Sequence, residues 1–249
     1  MLSLPACTVR FVDPEPQTPR VTASMLRRAD EMCRRRLKHE HTGDRRSANA
    51  AASARFAVSN RLSADARLAH AELGPPRAEA FVDPRDLEPE QRALYRAAVQ
   101  GYLGEFGTRP GRAVDLGWQT HLEQTGVDLV ADPGIALELP DGRRELRVLS
   151  FGGRARGGAL LDAVSRRVAL VRTAEWAPEQ LTIVAVDLIE RQLDRVTPDL
   201  DNERVEAFAW INERVAVVQA LAADGRSRAG ADCAGCAFIA GCDQFRMAS

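Results

Sequence analysis

Three of the chain's five cysteines, Cys233, Cys236 and Cys242, fall within ten residues of one another. Their spacing is C-x2-C-x5-C. Thiols two residues apart suit a single metal or cluster, because the backbone can turn around the site. Three ligands are one short of the usual four, which leaves Cys7 or Cys33 to complete the set. Cys33 stands among arginines, where positive charge favours the thiolate. Cys7 stands in a proline-rich stretch. Buried free cysteines are common in proteins, but three this close rarely arise as scattered structural residues. The spacing is shared by zinc and iron–sulfur sites.

The elements that would hold such a site follow from pattern. A chain of 249 residues with 45% apolar content can bury one sizeable core. Residues 1–20 are proline-rich and read as an irregular extension. Thr22-Ala23-Ser24 offers a helix cap, and 25–41 reads as one helix with a basic polar face. The Ala- and Arg-rich stretch 43–60 reads as helix or linker. A helix is expected over 62–73, stopped by Gly74-Pro75-Pro76, and another over 89–106, stopped by Gly107. Short apolar segments then follow at 113–122, 126–131, 135–139 and 145–151. The turns Asp132-Pro133-Gly134 and Pro140-Asp141-Gly142 punctuate them, so they read as a β-meander. A helix over 157–174, a hairpin of 181–189 with 192–196, and a long helix over 200–223 lead to the cysteine tail. The order predicts one α/β domain with a mixed sheet.

Charge narrows the function. Lys and Arg number 34 against 35 Asp and Glu, for a net −1, so the chain as a whole lacks the signature of a nucleic-acid binder. Aromatic residues make up 5%, too few for extended base-stacking platforms. Lys38 is the sole lysine, and arginine does not replace lysine in every chemical role. No apolar run is long enough to span a bilayer, and residues 1–7 lack the basic and apolar regions of a signal peptide. The expectation is a cytoplasmic protein without a membrane partner, whose clustered cysteines bind metal.

Ser24-Met25-Leu26 followed by Cys33-Arg34-Arg35-Arg36-Leu37 resembles the opening motif of iron–sulfur members of the PD-(D/E)XK nuclease superfamily. These include AddB-type and CRISPR-associated RecB-like nucleases. The resemblance extends to the C-x2-C-x5-C tail and spans nearly the whole chain. It implies a restriction-endonuclease-like core over 21–249, with a mixed central sheet flanked by helices. It also implies a 4Fe-4S cluster on Cys33, Cys233, Cys236 and Cys242 that joins the chain ends. Cys7 is then left out.

The resemblance also implies a cleavage site of a His on an early helix, an Asp after a Gly on one strand, and (Asp/Glu)-x-Lys on the next. Hard carboxylate oxygens hold Mg²⁺ or Mn²⁺, and the Lys helps activate water. His70 matches the first position. Asp128, in Gly126-Val127-Asp128-Leu129-Val130, matches the second. The third position fails. Ser150 and Gly152, in Ser150-Phe151-Gly152, stand where the acid and the lysine belong. Glu145 and Arg147 lie on the same strand with matching alternation. They read first as an exposed charged face, and second as a rearranged acid with a phosphate clamp. Glu138 is a further acid on the preceding strand. The helix after the strand also departs from the family. It carries Leu160 to Arg167 where members tend to have Gln and Tyr. No Ser/His/Asp triad, phosphate loop or dinucleotide fingerprint is present.

The reading is therefore an iron–sulfur nuclease-like pseudoenzyme that binds DNA or serves as a subunit of a multisubunit DNA-processing complex. Arg34, Arg35, Arg36, Arg154 and Arg156 are its candidate nucleic-acid contacts. One alternative is an active Mg²⁺- or Mn²⁺-dependent exonuclease using Asp128, Glu145 and His70. Another is an iron–sulfur redox or regulatory module whose output is a protein contact.

Overall fold

Thr22 both ends a strand and starts a helix. Its Oγ1 accepts a hydrogen bond from the Met25 amide at 3.2 Å, which caps α1 (Ala23–Arg28) directly after β1 (Arg20–Thr22). The computed structural model describes residues 18–42, 50–131, 134–151, 160–176 and 179–224. The single helix expected over 25–41 is broken, and α2 (Arg34–His41) begins anew after an extended Cys33. The apolar phase explains the break. Met25, Leu26, Ala29 and Met32 are buried, and continuing the helix would bring Arg36 next into the core. The interruption resets the phase and buries Leu37 instead.

The Ala-rich stretch is helical from Ala50. Helix α3 (Ala50–Ala69) runs without a linker and stops before His70. Helix α4 (Pro89–Phe106) matches its expected span. A Glu88/Gln91 capping box and a proline in the first turn fix its start, and the Gly107 amide bonds back to the Leu103 carbonyl at its end.

The expected meander divides between two mixed sheets. Strands β3 (Gln119–Leu122) and β4 (Val127–Val130) form a hairpin whose second strand pairs in parallel with β1, giving the order β1-β4-β3. The remaining strands are β2 (Arg112–Val114), β5 (Ile135–Glu138), β6 (Arg144–Ser150), β7 (Leu181–Asp187) and β8 (Gln192–Val196). They form a second sheet in the order β2-β5-β6-β7-β8. The β6–β7 pair is parallel and is bridged by α5 (Ala163–Arg172), whose first turn is capped by the Asp162 carboxylate. The β7–β8 hairpin agrees with the sequence expectation.

Strand alternation sends side chains to two cores. Leu146, Leu181 and Ile183 join α1, α2, α5 and α6 (Leu200–Asp224) on one face of the five-stranded sheet. Ile135, Leu137, Val184 and Val186 join α3 and α4 on the other. Strand β7 is covered on both faces, which accounts for its nearly continuous apolar run.

Candidate functional site

Glu145 and Arg147 occupy alternate positions of β6, so both point toward α3 and α4. The expected exposed charged face is corrected here: Arg147 is 0% exposed and Glu145 6%. The reason lies on α4. Phe106 and Tyr102 roof that part of the strand, and the Arg147 guanidinium stacks 4.0 Å from the Phe106 ring centroid. A buried guanidinium needs a countercharge, and Glu145 supplies it, accepting from Arg147 Nε at 2.7 Å.

His70 completes this network. It follows the last turn of α3, and its amide still bonds to the Ala66 carbonyl. The ring is fully buried. Nδ1 lies 3.0 Å from the Gly111 carbonyl, an acceptor only, so Nδ1 carries the proton and Nε2 accepts. Arg147 Nη1 donates to that Nε2 at 3.1 Å and to the Tyr102 hydroxyl at 2.8 Å. Burial, reinforced by the Arg147 charge, pushes the His70 pKa down to about 4. At neutral pH the imidazole is uncharged and serves as an acceptor for a permanent cation. The set holds α3, α4 and β6 in register. It contains no proton donor poised toward solvent.

Asp128 lies elsewhere. It is on β4, in the three-stranded sheet, opposite His121 on β3 and Arg20 on β1. Its Oδ1 is 2.8 Å from His121 Nδ1. Asp128, Glu145 and His70 therefore do not converge. Among the described residues no group of three His, Cys, Asp or Glu side chains is placed to hold a metal ion. Glu138 pairs across the β2–β5 ladder with Arg112, whose guanidinium holds its carboxyl below the usual range.

Ser150 ends β6. Its hydroxyl lies 3.2 Å from Asp187 Oδ2 on the neighbouring strand and 3.3 Å from the Val186 carbonyl. Asp187 is in turn engaged: its Oδ1 accepts from the Ile189 and Glu190 amides, both at 3.0 Å, and closes the β7–β8 turn. The carboxylate nearest to Ser150 thus holds a turn. Gly152, Arg154 and Arg156 lie outside the described residues.

At the chain's other candidate site, Cys33 is a half-buried free thiol at the N-cap of α2 and makes no side-chain capping bond. Arg34 and Arg36 follow on the helix. Arg34 is ion-paired with Asp224, the last residue of α6, and Arg36 with Glu40 at 2.7 Å. Arg35 lies between them. Arg214 of α6 reaches the Leu26 carbonyl at 3.1 Å and Asp30 at 3.0 Å. The N-terminal helices are thereby tied to α6, and two of the expected nucleic-acid contacts are engaged by carboxylates. Cys7, Cys233, Cys236 and Cys242 lie outside the described residues.

Sequence reasoning passed over Tyr102, His121 and Asp187. His121 had a signal: it and Asp128 are symmetric about the β3–β4 turn, the relation that places residues opposite each other in a hairpin. Tyr102 had none, because its partners lie more than 30 residues away; Asp187 had the signal of an Asp at the start of a turn, where its carboxylate bonds the next amides, but nothing that pointed to Ser150. No protein-family model matches the chain, and no curated protein matches its sequence.

Proposed function

We propose that this chain is an iron–sulfur protein of PD-(D/E)XK nuclease-like ancestry that has lost cleavage chemistry and acts in DNA binding or as a subunit of a DNA-processing complex. The observation that carries the reading is the start of α2. Cys33, Arg34, Arg35 and Arg36 occupy its N-cap and first turn, with no acidic residue there. Cations at that end oppose the helix dipole, an arrangement unfavourable by about 0.3–1 kcal/mol per charge. An anionic, thiolate-ligated cluster at Cys33 offsets the opposition. The Arg34–Asp224 pair places the end of α6 beside this point. Cys233 is nine residues further along the chain, a reach of at most roughly 30 Å. Cys33, Cys233, Cys236 and Cys242 would hold the 4Fe-4S cluster. Its contribution is to fasten the two ends of the chain.

The loss of catalysis rests on three points. Ser150 replaces the acid that would bind Mg²⁺ or Mn²⁺. Glu145 is held by Arg147 in a buried network. Asp128 belongs to a different sheet. Anaerobic purification followed by iron and sulfide analysis tests the cluster. Stoichiometric iron and sulfide, lost in Cys33→Ser, is the expected result; a colourless zinc protein would overturn it. Incubation of cluster-replete protein with labelled single- and double-stranded DNA and Mn²⁺ tests the rest. Cleavage abolished by Asp128→Ala would overturn the inactive reading, and absence of DNA affinity at low salt would favour a protein-contact module.

A further inference from the structure

A cavity of about 140 Å³ lies between α4 and the β7–β8 hairpin. Val186 and Leu193 of the hairpin and the bare backbone of Gly101 and Gly104 on the helix give it apolar walls. Gly104 and Arg191 are its exposed lining residues. A space of this size is close to that of an engineered cavity that takes up benzene, so it suits a ligand with a small apolar body.

Two residues at this cavity depart from what their elements favour. Glycine inside a helix costs stability relative to alanine. Gly101 has a packing reason, because a Cβ there would sit 2.1 Å from the Leu188 carbonyl oxygen. Gly104 has none: a Cβ there meets nothing within 4 Å. What its missing side chain leaves open is the cavity. Arg191 ends the turn between β7 and β8 with φ +53°, and among the described residues it alone has a positive φ without being glycine. Glycine or asparagine adopts that left-handed conformation more easily. Local costs of this kind gather where a protein binds or reacts, and these two meet at one space.

Charge selects the ligand. Two carboxylates line the cavity, and both are engaged. Glu105 accepts from Arg109 Nη2 at 2.6 Å, and Arg195 Nη2 approaches it at 3.9 Å. Asp187 is 2% exposed; its Oδ1 holds the turn amides and its Oδ2 faces the Ser150 hydroxyl. Arg191, by contrast, has no hydrogen bond or ion pair among the described residues. A guanidinium without a partner, beside a partly apolar space, fits a carboxylate, which it can hold through two parallel charge-assisted hydrogen bonds.

We propose that this cavity binds a small organic carboxylate, with its apolar body between Gly104 and Leu193 and its anionic head on Arg191. The proposal does not depend on the DNA-handling reading above. Amide NMR of the full chain tests it, by titration in carboxylate-free buffer with benzoate, isovalerate, uncharged benzamide and cationic benzylamine. At least one of the two carboxylates should shift the Gly101 and Gly104 amides saturably, with benzamide and benzylamine about tenfold weaker or more. Arg191→Asn keeps a residue that tolerates the left-handed backbone but removes the charge, and should weaken carboxylate binding about tenfold or more. Gly104→Leu should abolish binding by filling the space. Each of these substitutions relieves a local cost, so each variant should melt at or above wild type, which separates lost binding from lost fold. Absence of a saturable shift with either carboxylate overturns the proposal. So does tightest binding by benzylamine, or an Arg191→Asn chain that binds the carboxylate as wild type does.

Discussion

Acidification should weaken this fold through His70. The imidazole is fully buried, donates to the Gly111 carbonyl, and accepts from a guanidinium that never loses its charge. Protonating Nε2 would set a cation against Arg147 with no solvent between them. The folded pKa of about 4 lies below the ordinary 6.5. Between those values the unfolded chain binds a proton that the folded chain refuses. The contribution of His70 to stability is therefore fully present above pH 6.5, falls as pH drops toward 4, and is lost below 4. The difference corresponds to roughly 3 kcal/mol. That is a large part of the 5–15 kcal/mol typical of a domain, so ~3 kcal/mol is measurable. With a urea slope of about 3 kcal/mol per M, the midpoint should fall by about 1 M. Urea titrations at half-unit pH steps on wild type and His70→Gln provide the assay. Gln keeps a donor and an acceptor but does not titrate, so carboxylates elsewhere act alike in both proteins and cancel in the difference. The variant should be weaker at neutral pH and flatter below it. Parallel curves for the two proteins would refute the assignment of acid sensitivity to His70.

The same network predicts a coupling. Arg147→Met leaves Glu145 buried without its partner and should cost about 3–5 kcal/mol, while the double variant Glu145→Leu/Arg147→Met should recover most of that loss. Chemical denaturation of these two variants and of Glu145→Leu alone checks this, and additive losses would contradict it. Two glycines of α4 should respond oppositely to alanine. A Cβ at Gly101 would sit 2.1 Å from the Leu188 carbonyl oxygen, whereas one at Gly104 meets nothing within 4 Å. Gly101→Ala should lower the melting temperature and disturb the docking of α4 on the β7–β8 turn. Gly104→Ala should raise stability by about 0.5–1 kcal/mol through helix propensity. Asp162→Ala should cost about 1–2 kcal/mol, since it removes the α5 cap and the bridge to Arg27 on α1 together. A melting curve unchanged by that substitution would count against the cap.

Much of the fold was legible where one pattern settles one outcome. Helix α4 has a proline start, a capping box and a glycine stop, and its observed bounds agree with the expected ones. The β7–β8 hairpin follows from two β-rich runs across a short turn. The pairing of strands was not legible. Alternation identifies a strand but not its neighbour, and β4 finds a parallel partner in β1, about a hundred residues earlier. The break at Cys33 was missed because the basic residues of 25–41 fit a helical polar face, while only the position of Leu37 records the change of phase. The stretch 50–60 was ambiguous because alanine favours helix strongly but marks no buried face.

The site was read least well, and for a physical reason. Glu145-Leu146-Arg147 alternates polar, apolar, polar, which in isolation describes a strand with one wet face. What reverses that reading is Tyr102 and Phe106, four residues apart on one side of a helix some 40 residues earlier. Once those rings cover β6, an acid and a base that would repel burial singly become mutually necessary. The consequence reaches function. A carboxylate neutralised by a guanidinium that is itself shared with a neutral imidazole has little left to offer a divalent cation, so placing an acid and a lysine at the family's positions would not by itself create a metal site. Installing Asp at Ser150 and Lys at Gly152 tests this directly. Mn²⁺-dependent cleavage by the Ser150→Asp/Gly152→Lys variant would show that the remaining acids are available after all. No cleavage, with the fold intact by circular dichroism, is the outcome expected if Glu145 stays with Arg147 and Asp128 stays in its own sheet.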